Sequence, residues 1–340
     1  MKKGIIAVLL IIGIGLAVFW LLPSEREEDE TVTVIEERYR GDNGLIANYP
    51  DGEGNTEYLS ESFGLYLDYL LVMEEEEAFA EEIDRLSEFT EELDEGTLIK
   101  WKVEDDISVN ALIDDVRIAY ALKRGAELFG EESYHELSLA IQEAVYHYQY
   151  EAGEWHDFYD WPSESLSQEV HFSYFSAAAW ESFGWDGASL EGVTRAAMDN
   201  SLYYYERYNV EDEAKEFYTA GEVNLIDQVL IMQQMEAVTG DIQPLENWLY
   251  ETYDTNGRLT GRYDRETMEE SVEYEAPAVY ALIMLHFLDK GDTAKAADWK
   301  EPLESVHETE QISTETHFFD YMLAETALKR LEKETTNAEE

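Results

Sequence analysis

The sequence predicts an all-α fold, an (α/α)6 toroid of helical hairpins preceded by an N-terminal transmembrane helix, and three observations carry that expectation. Apolar residues recur at three- and four-residue spacings through about 60–74, 76–90, 110–129, 131–150, 173–183, 188–208, 222–238, 243–251, 267–289, 292–306 and 316–333, which is the period of a helix with one buried face. Strand-like alternation is confined to short pieces such as 98–103. An uninterrupted apolar run, 4–22, follows Lys2 and Lys3 and is closed by Pro23.

Taken in order, the apolar run comes first. It has the length and flanking charge of a membrane span, with the lysines inside and the rest of the chain outside the cell. A cleaved signal peptide, which would leave the protein secreted, is the alternative. Its apolar core is usually only ~7–15 residues long and ends in small residues at the cut site. No such site follows residue 22, and no cysteine is available for lipid attachment. Residues 1–23 therefore read as an anchor or signal, 24–40 as an acidic stalk, 41–332 as one folded domain and 333–340 as a disordered tail.

At 340 residues with 45% hydrophobic content, the chain is large enough to bury a core without crosslinks, which suits an exported protein lacking cysteine. The formal charge is −54, from 77 acidic and 23 basic side chains. Such a field repels nucleic acid and anionic lipid, so neither is expected as a partner. Composition leaves two explanations of the acidity open: a surface solvated for a salty or alkaline medium, or a cleft suited to a cationic glycan.

About six helical hairpins can close into a ring whose inner helices run parallel, so that their N-termini share one rim. Acids in the first turns are favoured there by the helix dipole, and they would gather around a common cleft. Glu61 opens the helix after Ser60, and Asp114 and Asp115 open the helix after Asn110. Two facing carboxyls can divide acid and base work, one giving a proton to a leaving group and the other activating water. A donor in a first turn must have its pKa raised against the dipole, by burial or by a neighbouring carboxylate such as Asp114 or Asp115. Aromatic side chains make up 13% of the chain, and they cluster in 146–161. Trp101, Trp155, Trp161 and Tyr174 are the expected sugar-stacking residues. His147, His156 and His171 fall in no zinc-ligand spacing, so no metal or other cofactor is expected.

Several of these segments resemble glycoside hydrolase family 8. Ser60, Glu61, Phe63 and Gly64 resemble the turn that carries the family's proton donor, with a shorter gap before the glycine. Residues 98–103 are similar to the stretch that follows it. Residues 109–122 resemble the family's signature helix, with Phe129 at the expected distance. Residues 171–180 resemble its SerTyrPhe turn and the next helix, and weaker similarity continues at 217–223 and 318–324. In the signature, Ile113 stands where the family usually has its first aspartate and Asp115 takes the second. In the segment that resembles TyrAspAla, Thr219 stands where the family's water-activating aspartate would be.

The resemblance implies endo-type, inverting hydrolysis of a β-1,4-linked polysaccharide or exopolysaccharide. Glu61 would be the acid, and Asp115 or Asp114 would hold the central sugar and the water. Threonine cannot serve as the base, and Glu222 and Asp227 are the nearest acids by sequence. Polysaccharide is the expected partner, and a membrane polysaccharide synthase is a second. Two other classes stay open: a catalytically impaired glycan-binding protein on the same fold, as Thr219 suggests, and a lyase or uronide hydrolase, which the negative surface disfavours.

Overall fold

A computed structural model describes residues 29–50, 56–198, 201–210, 217–218, 221–240, 242–307 and 312–339. Two units result, Met1–Glu37 and Arg38–Glu340. In the first, Asp29 caps a short helix α1 (Glu30–Val34) by accepting the Val32 N–H at 3.1 Å. The expected membrane helix and residues 24–28 of the expected stalk lie outside the described residues. Among the described residues no helix is long and apolar enough to cross a membrane.

The second unit begins earlier than the sequence suggests. Tyr39 and Arg40, expected in the stalk, belong to the folded body. Tyr39 packs against Phe318 and Tyr321, and Arg40 pairs with the buried Glu82 at 2.6 Å.

Hairpins of helices then follow: α2 (Ser60–Met73) with α3 (Glu76–Arg85), α4 (Leu112–Phe129) with α5 (Glu132–Gln149), α6 (Ala177–Phe183) with α7 (Gly187–Ala196), and α8 (Leu225–Thr239) with α9 (Gln243–Asn256). Helix α10 (Pro277–Asp289) precedes two short helices, α11 (Thr293–Asp298) and α12 (Lys300–Val306), and α13 (Phe318–Glu339) ends the chain. Local sequence sets the ends. Ser176 and Asn224 accept N–H groups of the first turns of α6 and α8, and Gly130 takes the left-handed conformation, φ 78°, that stops α4.

Six helices form the inner ring. Contacts run from α2 to α4, α6, α8, α10 and α13, and α13 returns to α2. Helix α10 is buried on almost every side, from Ala278 to Leu288, as expected of a helix that is apolar all round. Neighbours in the ring approach closely where glycine allows it. A Cβ on Gly64 of α2 would meet the Arg117 side chain of α4 at 2.9 Å.

Three expected helices differ in extent. The span 267–289 starts only at Pro277, whose fixed φ and missing N–H suit the first helical position. The span 188–208 stops at Ala196, because Tyr205 N–H closes on Ala197 O and residues beyond it enter a sheet. The tail expected to be disordered instead continues α13 to Glu339, with Lys333 bonded to Val72 O at 2.9 Å and paired with Glu74 at 2.5 Å.

Short strands decorate the ring. Hairpin β1 (Thr90–Leu93) and β2 (Gly96–Ile99) precedes α4, and the pairs β3 (Tyr150–Glu151) with β4 (Glu154–Trp155) and β5 (Tyr159–Asp160) with β6 (Ser165–Leu166) follow α5. Strands β7 (Glu169–His171), β8 (Arg207–Asn209) and β9 (Phe217–Tyr218) form one antiparallel sheet, and β10 (Glu222–Asn224) pairs with β11 (Arg262–Asp264). Strand β7 and the loop after β4 supply cavity-lining residues that the inner helices do not.

Candidate active site

A cavity of about 1720 Å³ is lined by residues of all six inner helices and of the rim segments. That exceeds the ~300–1,000 Å³ of a usual small-molecule pocket, and it suits an extended ligand. Glu61, in the first turn of α2, is half-buried on its wall beside Asp114 of the first turn of α4. The two carboxyls are treated unequally. Asp114 accepts the Ser60 hydroxyl at 2.7 Å and the Arg117 guanidinium at 2.9 Å. Glu61 has no hydrogen-bond partner among the described residues.

Burial and the Asp114 charge push the Glu61 carboxyl up to about 7, against the pull of Arg117 and with a contribution from Asp320. Burial also raises Asp114, but Arg117 and Ser60 oppose it. The Ser60 and Arg117 hydrogen bonds favour the anion at Asp114, whereas Glu61, which receives neither, is pushed toward its protonated form. The helix dipole at Glu61 is outweighed by desolvation and by a like charge held across the ring.

Asp115 lies elsewhere. It is fully buried and absent from the cavity wall, where it accepts the Ile99 N–H at 2.8 Å and the Asn110 side-chain amide. Successive helical residues point about 100° apart. With Asp114 facing the cavity, Asp115 must face the hairpin behind α4, and burial raises its pKa well above the usual range. The expectation that Asp115 contacts sugar is thus corrected to a structural part in pinning β2 and the 110 turn to α4.

The two expected base positions also separate. Glu222 is exposed on β10 opposite Asp264, away from the cavity. Asp227, in the first turn of α8, lines it. Burial raises Asp227, while a Ser173 hydrogen bond, the charges of His171 and Arg262 and a bond from Asn224 pull it back. Thr219 lies outside the described residues.

Of the expected stacking residues, Trp101 and Tyr174 line the cavity. Trp155 is fully buried among Trp180, Trp185 and Tyr150, because β4 folds its ring inward, so it is core and not subsite. Trp161 is half-buried and does not line the cavity; its N–H bonds Ser108 O. Phe158, 40% exposed at the cavity wall, is a ring that the sequence reading passed over.

Asp157 and His171 were also passed over. Asp157 sat in the stretch read only for its aromatic rings, and His171 was weighed only as a metal ligand. Both line the cavity, with His171 Nδ1 2.6 Å from Asp157 Oδ2. Tyr174 lies among these groups. Burial pushes its phenol up, and the charges of Asp157, Asp114, Asp227 and Glu61 add to the effect. The lining also carries ion pairs, Asp68 with Arg124 at 3.1 Å and the exposed Asp289 with Arg330 at 2.5 Å. Among the described residues no group of three or more His, Asp or Glu is placed to hold a metal ion.

A closed ring of helices with carboxylates at the N-terminal ends of its inner members is a glycoside hydrolase-like framework, and comparison with known proteins agrees. No family model matches the chain. It is 30% identical over 309 residues to "Putative lipoprotein YdaJ" of Bacillus subtilis (strain 168), spanning 85% of this chain and 83% of that one. Among solved structures, PssZ from Listeria monocytogenes superposes with a TM-score of 0.81 at 29% identity, over 90% of this chain and 96% of that one. A novel alpha-amylase from Clostridium perfringens gives 0.77 at 18%, over 90% and 99%. Endoglucanase Cel10, a family 8 glycosyl hydrolase from Klebsiella pneumoniae, gives 0.61 at 15%, over 90% and 100%. The chain is thus a relative of that Bacillus subtilis protein, and its fold is the one found in family 8 glycoside hydrolases.

Proposed function

We propose that this protein is an extracellular, membrane-anchored glycoside hydrolase that cuts a β-1,4-linked polysaccharide internally, with inversion at the anomeric carbon. Glu61 gives its proton to the leaving oxygen as that bond breaks. A water oxygen bonds the anomeric carbon from the opposite face and loses its proton to Asp227. Asp114, ionised, faces the positive charge that develops on the sugar ring, where a fixed anion in a cavity sheltered from water is most effective. Trp101, Phe158 and Tyr174 stack on sugar faces.

One observation carries the reading: Glu61, pushed up to about 7, lines the cavity beside Asp114, and Asp114 alone of the two accepts hydrogen bonds, from Ser60 and Arg117. Two neighbouring carboxyls pushed to different protonation states are the usual sign of an acid and its charged companion. Lipid attachment needs a cysteine and the chain has none, so the apolar run 4–22 serves as the anchor, ahead of a folded domain. An enzyme placed there meets polymer leaving a membrane synthase, which is its proposed partner.

The test incubates the full-length protein and Glu61→Gln with cellulose derivatives, chitosan, xylan, mixed-linkage glucan and starch. Reducing ends are counted, and the first anomer formed is read by NMR. Release by wild type alone, with inverted product, supports the reading. Equal release by both proteins removes Glu61 as donor. Binding without release by either replaces the hydrolase with a glycan-binding protein.

A further inference from the structure

We infer that Gly64 and Arg117 are positioning residues for Asp114: the bare backbone at Gly64 seats the Arg117 side chain against α2, so that its guanidinium closes on the Asp114 carboxylate beside Glu61. This rests on Asp114 facing the reacting sugar as proposed above. The contact that carries it lies between the two helices. A Cβ on Gly64 would stand 2.9 Å from Arg117 Cδ, and 3.3 Å from Arg117 Cγ and Ile118 Cγ1. The stem of Arg117 therefore occupies the space that any other residue at 64 would fill.

The seam between α2 and α4 is in register. Gly64 follows Glu61 by three residues and Arg117 follows Asp114 by three, the spacing that keeps side chains on one helical face. Glu61, Asp114 and Arg117 all line the cavity. At one end of the seam Ser60 Oγ donates to Asp114 Oδ2 at 2.7 Å, and at the other Arg124 holds Asp68 at 3.1 Å. Arg117 lies between them, and with Asp68 taken its Nη1 donates to Asp114 Oδ1 at 2.9 Å. Helical side chains lean toward the N-terminus of their helix, which sends Arg117 the same way.

Asp114 is thus gripped at both oxygens, by a hydroxyl from α2 and by a guanidinium whose course α2 sets. Only 16% of the Arg117 side chain and 8% of the Asp114 side chain are exposed, so the pair is not of the solvent-screened kind that contributes little. A carboxylate held in this way keeps one orientation toward the cavity.

Gly64 lies inside α2 and has no left-handed φ that would itself call for glycine. Alanine is the better helix former there by about 1 kcal/mol, and the atom it would strike at under 3.0 Å belongs to a flexible side chain, not to backbone. Gly64→Ala is accommodated by swinging Arg117 away from Asp114, with α2 intact. The effect falls on the site and not on the fold.

The test is a double-mutant cycle on the full-length protein with the polymer that wild type cleaves. Gly64→Ala should lower kcat about 10- to 100-fold, the scale set by a misplaced group, with KM little changed and Tm not lowered. In an Arg117→Ala background, where no stem remains to displace, the same substitution should change kcat less than about twofold. Asp114→Asn gives a second background, and the expectation there is the same. Wild-type kcat in Gly64→Ala overturns the inference. So does a loss that persists in full in either background, because it would come from helix packing at Ile118.

A readout without substrate separates this claim from the hydrolase reading. With 15N-labelled arginine, the Arg117 guanidinium is identified by its absence from Arg117→Ala. It should show hindered rotation in wild type and free rotation in Gly64→Ala, and no difference between the two overturns the inference. The expected difference in a protein that cuts no polymer instead removes the hydrolase reading and leaves the coupling of Gly64, Arg117 and Asp114 standing.

Discussion

Ser60 Oγ lies 2.7 Å from Asp114 Oδ2 across a sequence separation of 54 residues, so the residue just before Glu61 is bonded to the carboxylate whose charge acts on Glu61. The bond joins the first turns of two inner helices. It also stabilises the Asp114 anion, leaving Glu61 as the member of the pair that keeps a proton.

Asp114→Asn removes a negative charge that raises the Glu61 pKa. Glu61 then loses its proton at lower pH, so the alkaline limb of the pH–rate profile should move down by about half a unit to one unit. The loss of a charged group facing the reacting sugar should also reduce kcat roughly 100-fold. Both are read from one set of profiles on the polysaccharide that wild type cleaves.

Glu61 also couples stability to pH. Its folded pKa, about 7, lies above the usual 4.5. Its contribution is therefore fully present below pH ~4.5 and lost as pH rises through ~7. Glu61→Gln carries no charge to bury, so relative to wild type it should gain on the order of 1–3 kcal/mol between pH 5 and pH 8. Denaturant melts at the two pH values give the difference.

Asp227 and Glu222 provide a matched pair. Asp227→Asn should lower kcat roughly 1,000-fold or more with KM little changed, as expected when a group acting only in the transition state is lost. Glu222→Gln, on the exposed strand, should leave both constants within about twofold of wild type. Initial rates on the same substrate test both.

The aromatic residues divide in the same way. Trp101→Ala and Phe158→Ala should each raise KM by about 5- to 20-fold, the equivalent of ~1–2 kcal/mol of lost stacking, with Tm nearly unchanged. Trp155→Ala should instead destabilise by about 3–5 kcal/mol, because it empties a packed cluster. Thermal melts beside Michaelis curves distinguish the two behaviours.

The inner ring was legible because apolar residues recur through its helices at helical spacing, even in α10, which is apolar on almost every side. Glu61 and Asp114 were legible as first-turn acids, whereas Asp227 was reached only as one of the two acids nearest Thr219 in sequence. The choice between Asp114 and Asp115 was not, since neighbours on a helix differ by a rotation that only the packed ring fixes. Trp101, in the strand-like piece 98–103, and Trp155, in the aromatic stretch 146–161, were both read as stacking rings, and nothing local says that Trp180 and Trp185 wait for one of them. The start of α10 was written in Pro277, a helix-opening signal that the longer apolar pattern at 267–289 obscured. His171 was missed because its partner, Asp157, reaches it only through the fold.

The central claim is that Glu61 rests protonated beside an ionised Asp114. Infrared difference spectra of wild type minus Glu61→Gln, recorded from pH 4 to pH 9, isolate the Glu61 carboxyl stretch. The account expects that band to disappear with a midpoint near 7. A midpoint near 4.5, the ordinary glutamate value, would contradict it.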